Sequence, residues 1–195
     1  MVVVIASENK GKLAEFDRIL RPLGFDVVSK KSAGMNKNIE ETGQSFVENA
    51  QIKAQKTYEA LKLPVIADDS GLEVLALGGA PGIYSARYSA DGGISATDES
   101  NNQKLLRELE GVRDRRARYV CALCFINKDG KMFNICEICE GEISTQLEGN
   151  GGFGYDPLFK YQGVSFANMR PEQKDAVSHR AKALLKLTQK IGEWK

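Results

Sequence analysis

Residues 2–6, Val-Val-Val-Ile-Ala, form an apolar run without polar alternation. A strand with one wet face alternates polar and apolar residues. A run apolar on both sides marks a strand covered on both faces. A polar turn, Ser7-Glu8-Asn9-Lys10-Gly11, follows. Leu13, Phe16, Ile19, Leu20 and Leu23 then recur at helical spacing, and this helix is expected to end near Pro22–Gly24. The chain therefore opens as strand, polar loop, helix. That order points the backbone N–H groups of the loop and the first helical turn at whatever sits above the strand.

The remainder extends this plan. A second strand is expected at Phe25–Val28 and a helix over Ser45–Leu61, with Phe46, Ala50, Ala54, Tyr58 and Leu61 on one side. Asn49 and Lys53 are four apart and face the same way. Pro64–Asp69 reads as a short buried strand broken by Ser70-Gly71, and Thr97–Leu109 as a helix. Arg118–Asn127 and Lys131–Glu140 read as a hairpin around Lys128-Asp129-Gly130. Glycine-rich loops lie at 78–93 and 149–157, and the segment from Pro171 to Gly192 is expected to be mainly helical. The fold class is α/β, with a sheet made mixed by the late hairpin.

With 195 residues the chain is the size of one large domain or two joined lobes. Lys plus Arg number 27 against 26 Asp plus Glu, a net charge of +1. No global field draws the chain to nucleic acid or to a membrane surface, so neither is expected as a partner. A polyanionic ligand has to be held by a local cluster or through a metal ion. The apolar N-terminal run is too short for a leader or a span, and the expected location is the cytosol. Cys121, Cys124, Cys136 and Cys139 form two C-x-x-C pairs. Both fall in expected strands, where residues three apart point to opposite faces about 10 Å apart along the strand. That geometry works against a tetrahedral zinc site, and buried thiols are expected instead.

The chemistry-bearing residues form several clusters. Asp68 and Asp69 end a strand, the place where α/β proteins put ligands. Neighbours on a strand point to opposite faces, so one of the two is expected to face a cleft. Glu40 and Glu41 lie in a loop able to approach the same place. Magnesium needs few protein carboxylates, and one aspartate with one glutamate is enough. Lys10 and Lys12 sit at the start of the first helix, where the dipole favours an anion, and Lys53 is on the second. The first loop lacks the G-x-x-x-x-G-K-S/T pattern of the common phosphate-binding loop. Gly151-Gly152-Phe153-Gly154-Tyr155-Asp156-Pro157 offers close backbone approach and an aromatic ring for stacking. His179, the one histidine, has no nucleophile beside it in Ser178-His179-Arg180.

Taken in order, these blocks resemble the inosine triphosphate pyrophosphatase family. The matching segments are Ser7-Glu8-Asn9-Lys10-Gly11-Lys12, Glu40–Gly43 with Phe46–Ala50 and Lys53, Ala67–Leu72, Gly78–Arg87, Gly151–Pro157 and Ser178–Arg180. The resemblance implies one two-lobed pyrophosphatase domain over 1–195, built on a long mixed sheet with flanking helices and an active-site cleft between the lobes. It implies hydrolysis of ITP, dITP and XTP to monophosphate and pyrophosphate, with Mg2+ as cofactor and a homodimer as the assembly. Asp69 resembles the proton acceptor and a metal ligand, with Glu40 or Glu41 as the second metal carboxylate. Lys53 is carried over as catalytic, and both Lys12 and Lys53 resemble phosphate partners. Ser7, Glu8, Asn9, Lys10, Gly11 and Ser70 resemble further substrate contacts. Phe153, Gly154, Tyr155, Asp156, Lys174, His179 and Arg180 resemble the base and sugar pocket. Glu8 departs from the commoner Thr-Gly-Asn form of the first loop.

Arg180, with donors only, is expected to read the 6-keto oxygen of hypoxanthine or xanthine and to reject the amino group of adenine. Three other readings compete: a related pyrophosphatase for modified pyrimidine triphosphates, a nucleotide sensor without turnover, and a zinc-ribbon interaction module built on the cysteines.

Overall fold

The computed structural model describes residues 1–91 and 93–193. Its seven strands are β1 (Val2–Ile5), β2 (Asp26–Ser29), β3 (Val65–Val74), β4 (Arg116–Ile126), β5 (Met132–Ile143), β6 (Phe159–Tyr161) and β7 (Val164–Ser165). They form one sheet in the order β2-β1-β3-β4-β5-β6-β7. β1 runs parallel to both β2 and β3, with Val2 opposite Asp26 and Val4 opposite Val65. β5–β6 and β6–β7 are antiparallel. The sheet is mixed, as the hairpin implied. Val3, Val4 and Ile5 are all fully buried whichever way they point, as expected of a strand covered on both faces.

Five helices accompany the sheet: α1 (Lys10–Leu20), α2 (Phe46–Leu61), α3 (Asp98–Glu108), α4 (Pro171–Val177) and α5 (His179–Glu193). Their starts are chemically marked. Asn9 caps α1 by accepting from the Lys12 amide, Ser45 caps α2 from the Glu48 amide, and Thr97 caps α3 in a reciprocal box with Ser100.

The described residues divide into two compact units. The first comprises Met1–Asp69, Cys121–Glu137 and the segment from His179 onward. Its core joins Val3 and Ile5 of β1, Ile66 of β3, Cys121, Leu123 and Phe125 of β4, Phe16 and Leu20 of α1, and Ala183, Leu184 and Leu187 of α5. The second comprises Ser70–Val120 and Ile138–Ser178. Its core gathers Leu72, Val74, Leu105, Tyr119, Ile143, Tyr155, Phe159 and Phe166. Here Tyr119 stacks on Phe166, with ring centroids 5.9 Å apart.

The structure corrects the expected elements in two places. β3 does not break at Ser70-Gly71 but runs on to Val74, because Leu72 and Val74 are fully buried and carry the period-two pattern forward. The C-terminal segment is mainly helical as expected, in two helices separated where Ser178 adopts extended backbone. β6 and β7, of three and two residues, went unforeseen. Among the described residues, no helix is long and apolar enough to cross a membrane.

The cysteines lie on β4 and β5 as thiols, with Cys121, Cys124 and Cys139 buried and Cys136 exposed. Burial pushes the Cys124 thiol up to about 12. Titration of the native protein with a chromogenic disulfide at pH 8 should therefore count one fast thiol, and the other three only after denaturation. Four equally fast thiols in folded protein would contradict this burial.

Candidate active site

Everything at this site follows from the two-residue period of β3. Ile66 belongs to the core that α1 and α5 share, so Asp68, two residues on, faces the same helices. Asp69 faces the other side. The hydrogen bonds bear this out. Lys12 of α1 donates from Nζ to Asp68 Oδ1 at 3.0 Å, and Arg180 of α5 donates from Nε to Asp68 Oδ2 at 2.6 Å. The Arg180 guanidinium also donates through Nη1 to Glu15 of α1. Lys53 of α2 donates from Nζ to Asp69 Oδ1 at 2.8 Å and to Glu41 Oε1 at 3.1 Å.

On α2 the buried residues include Asn49, Lys53 and Thr57, a polar stripe at intervals of four. Burial lowers the pKa of the Lys53 ammonium, but the carboxylates of Asp69 and Glu41 more than offset this, and the group stands above its ordinary value. For Asp69, burial is the largest influence and raises the carboxyl. Lys53 and Lys12 pull it down without cancelling the rise. A carboxylate held above its usual range is a stronger base once ionised.

Glu41 and Asp69 thus converge on one ammonium. Both are hard oxygen donors, of the kind that could hold a divalent cation whose shell is completed by water and phosphate oxygens. Glu40 is exposed, while Glu41 is the member of the pair turned toward Lys53. Among the described residues, no group of three or more His, Cys, Asp or Glu is placed to cage a metal.

The first loop presents Lys10 to solvent and spends Asn9 on the helix cap. Ser7 Oγ accepts from the Asn9 amide at 3.2 Å, a local turn just before the cap of α1. Glu8 accepts from the Lys31 amide at 3.1 Å, so its charge is taken up by the backbone after β2.

The second unit holds another cluster. Asp156 is buried and accepts from Lys174 Nζ at 2.6 Å and from the Phe153 amide at 3.0 Å. Lys174 lies 4.9 Å over the Phe153 ring. Asp98 accepts from the Gly154 amide at 2.6 Å, and Asn102 donates to the Gly154 carbonyl at 2.8 Å. Gly152 has φ +74°, and a Cβ there would meet Asp156 Oδ2 at 2.1 Å, so only glycine fits this turn. The loop that displays Phe153 is therefore pinned from both sides. Ser70 is half-buried at the start of this unit.

Several expected substrate contacts also have structural partners. Tyr155 is buried and donates its hydroxyl to the Ser85 carbonyl at 2.9 Å, so its side chain is core. His179 is buried at the start of α5. Arg180 is 2% exposed, and its guanidinium donates to two buried carboxylates, Asp68 and Glu15. Burial disfavours its charge, and Asp68 and Glu15 reverse that, raising its pKa well above the ordinary value. The bonds to these two carboxylates account for Nε and Nη1 of a guanidinium that has five N–H donors. Asn49, Asp98 and Asn102 were not among the expected site residues. For Asn49 there was a signal, its spacing of four from Lys53.

Comparison with known proteins now decides the family. The Ham1 family profile matches residues 3–190. This chain belongs to the Ham1 family. Among its relatives is a dITP/XTP pyrophosphatase of Syntrophobacter fumaroxidans, 46% identical over 98% of this chain and 82% of that protein. Another is a dITP/XTP pyrophosphatase of Treponema denticola, 42% identical over 98% of both. The solved Ham1 protein of Staphylococcus aureus superposes with a TM-score of 0.86 at 39% identity over the full length of both chains. In this Ham1 chain the Arg180–Asp68–Glu15 cluster is buried, and replacing Arg180 measures what it contributes to stability. Arg180→Met should lower unfolding stability by about 3–5 kcal/mol, because buried Glu15 and Asp68 both lose the guanidinium that bridges them and Asp68 keeps only Lys12. Urea unfolding measures it, and a change below about 1 kcal/mol would mean that the cluster is wet and weak.

Proposed function

We propose that the chain hydrolyses deaminated purine nucleoside triphosphates, ITP, dITP and XTP, to the monophosphate and pyrophosphate. The observation that carries this reading is the convergence of Asp69, Glu41 and Lys53, in a chain whose curated relatives are named dITP/XTP pyrophosphatases. The single family match over residues 3–190 supports treating the two units as one catalytic domain. A cytosolic homodimer, as the family resemblance implies, completes the proposal.

Glu41 and Asp69 are the residues that would hold magnesium, which when bound offsets the charge of the phosphates and of the leaving pyrophosphate. Asp69 orients a water molecule and takes its proton. The water oxygen bonds to phosphorus as the α–β anhydride opens, and pyrophosphate departs with the electron pair. Lys53 and Lys12 meet phosphate oxygens with fixed positive charge, already in place before reaction. Phe153, with Lys174 above its ring, offers a face on which a purine stacks. Stacking adds affinity but little choice among purines, so selectivity has to come from hydrogen bonds to the base edge.

A nucleotide panel tests the proposal. With magnesium present, pyrophosphate should be released from ITP, dITP and XTP with kcat/KM about 10²-fold or more above that for ATP. Chelation with EDTA should reduce all rates to background. Orthophosphate and nucleoside diphosphate as products, or full activity in EDTA, would contradict it.

A further inference from the structure

We infer that Asn49 is the positioning residue of the catalytic centre, orienting Asp69 and seating the loop that carries Glu41. The inference rests on the proposed function for the role of Asp69, and on geometry for everything else. Asn49 is fully buried on α2. Its Nδ2 donates to Asp69 Oδ2 at 3.3 Å, while Lys53 takes the other oxygen, Oδ1, at 2.8 Å. Its Oδ1 accepts from the Gly43 amide at 2.9 Å. That last bond settles the amide's orientation. A backbone N–H is always a donor, so the atom facing Gly43 has to be the oxygen and the nitrogen has to face Asp69.

Gly43 lies two residues after Glu41 and is pressed against this amide. A Cβ there would stand 2.8 Å from Asn49 Oδ1 and 2.7 Å from Glu48 Cβ, so the loop seats this closely because residue 43 has no side chain. One amide thus bridges the two segments that supply the carboxylates. Its donor end fixes which oxygen of Asp69 remains with Lys53, and its acceptor end fixes how far the Glu41 segment stands from α2. Aspartate at 49 has the same shape and keeps the acceptor, but it loses the donor and sets a second carboxylate beside Asp69. Alanine loses both ends.

The two variants separate the functions. Asn49→Asp should fold, keep slow exchange of the Gly43 amide in hydrogen-exchange NMR, and lose kcat for ITP by about 10- to 100-fold with KM within a few fold of wild type. Asn49→Ala should lose kcat similarly and also release the Gly43 amide to fast exchange. Folded Asn49→Asp with kcat within threefold of wild type would overturn the inference. So would a loss expressed wholly in KM, or a Gly43 amide equally protected in Asn49→Ala. A wild-type protein inactive on every deaminated triphosphate would instead refute the proposed function, and the Gly43 exchange would still test the bridge.

Discussion

Two adjacent carboxylates on one strand organise the first unit. Asp68 and Asp69 are covalent neighbours, both almost wholly buried, and each would be costly to ionise alone. The pleat of β3 separates them onto opposite faces, where each meets its own cations. Asp68 is met by Arg180 and Lys12, with Glu15 on the far side of the guanidinium. Asp69 is met by Lys53, with Glu41 on the far side of the ammonium. The two arrangements are alike, carboxylate–cation–carboxylate, but differ in the cation. A guanidinium is rigid, always charged and suited to bridging two carboxylates for good. An ammonium is a point charge on a flexible stem, able to shift toward another anion.

Under the proposed function, that difference lets neighbouring residues serve stability and chemistry separately. Among the buried acids, Asp68 and Glu15 tie α1 and α5 together through Arg180, and the apolar residues of the same helices complete that layer. Asp69 keeps a raised carboxyl beside a lysine and an amide, a poised environment of the kind that marks a base. The second unit follows similar logic on a smaller scale. There Asp156 is fixed by Lys174 and by the Phe153 amide, so that one buried acid shapes the loop that displays an aromatic ring.

Much of this was legible in the residues, and the failures have physical causes. The unbroken Val2–Ala6 run and the caps at Asn9, Ser45 and Thr97 are local signals, and the corresponding elements appear where local chemistry puts them. β6 and β7 are too short to show a period, and only their neighbours in the sheet define them. Ser70-Gly71 looked like a stop because turn residues are local, whereas burial of Leu72 and Val74 is tertiary. The carboxylate partners of Arg180 were not legible for a related reason. Asp68 and Glu15 stand 112 and 165 positions away in the chain, and no spacing rule reaches that far. That α2 would bring Asn49 and Lys53 to one side was readable. That the amide would also hold Gly43 was not.

The division of labour between the two aspartates is the centre of the account, and one paired comparison tests it most directly. Asp68→Asn and Asp69→Asn are to be measured side by side, by urea unfolding and by kcat for ITP with magnesium. The account predicts that Asp69→Asn retains most of its stability and loses turnover by about 10²- to 10⁴-fold. It predicts that Asp68→Asn loses about 3–5 kcal/mol, because an amide removes the carboxylate that Arg180 and Lys12 share and leaves Glu15 to balance the buried guanidinium. Equal effects of the two substitutions on both measurements, or an active Asp69→Asn, would contradict it.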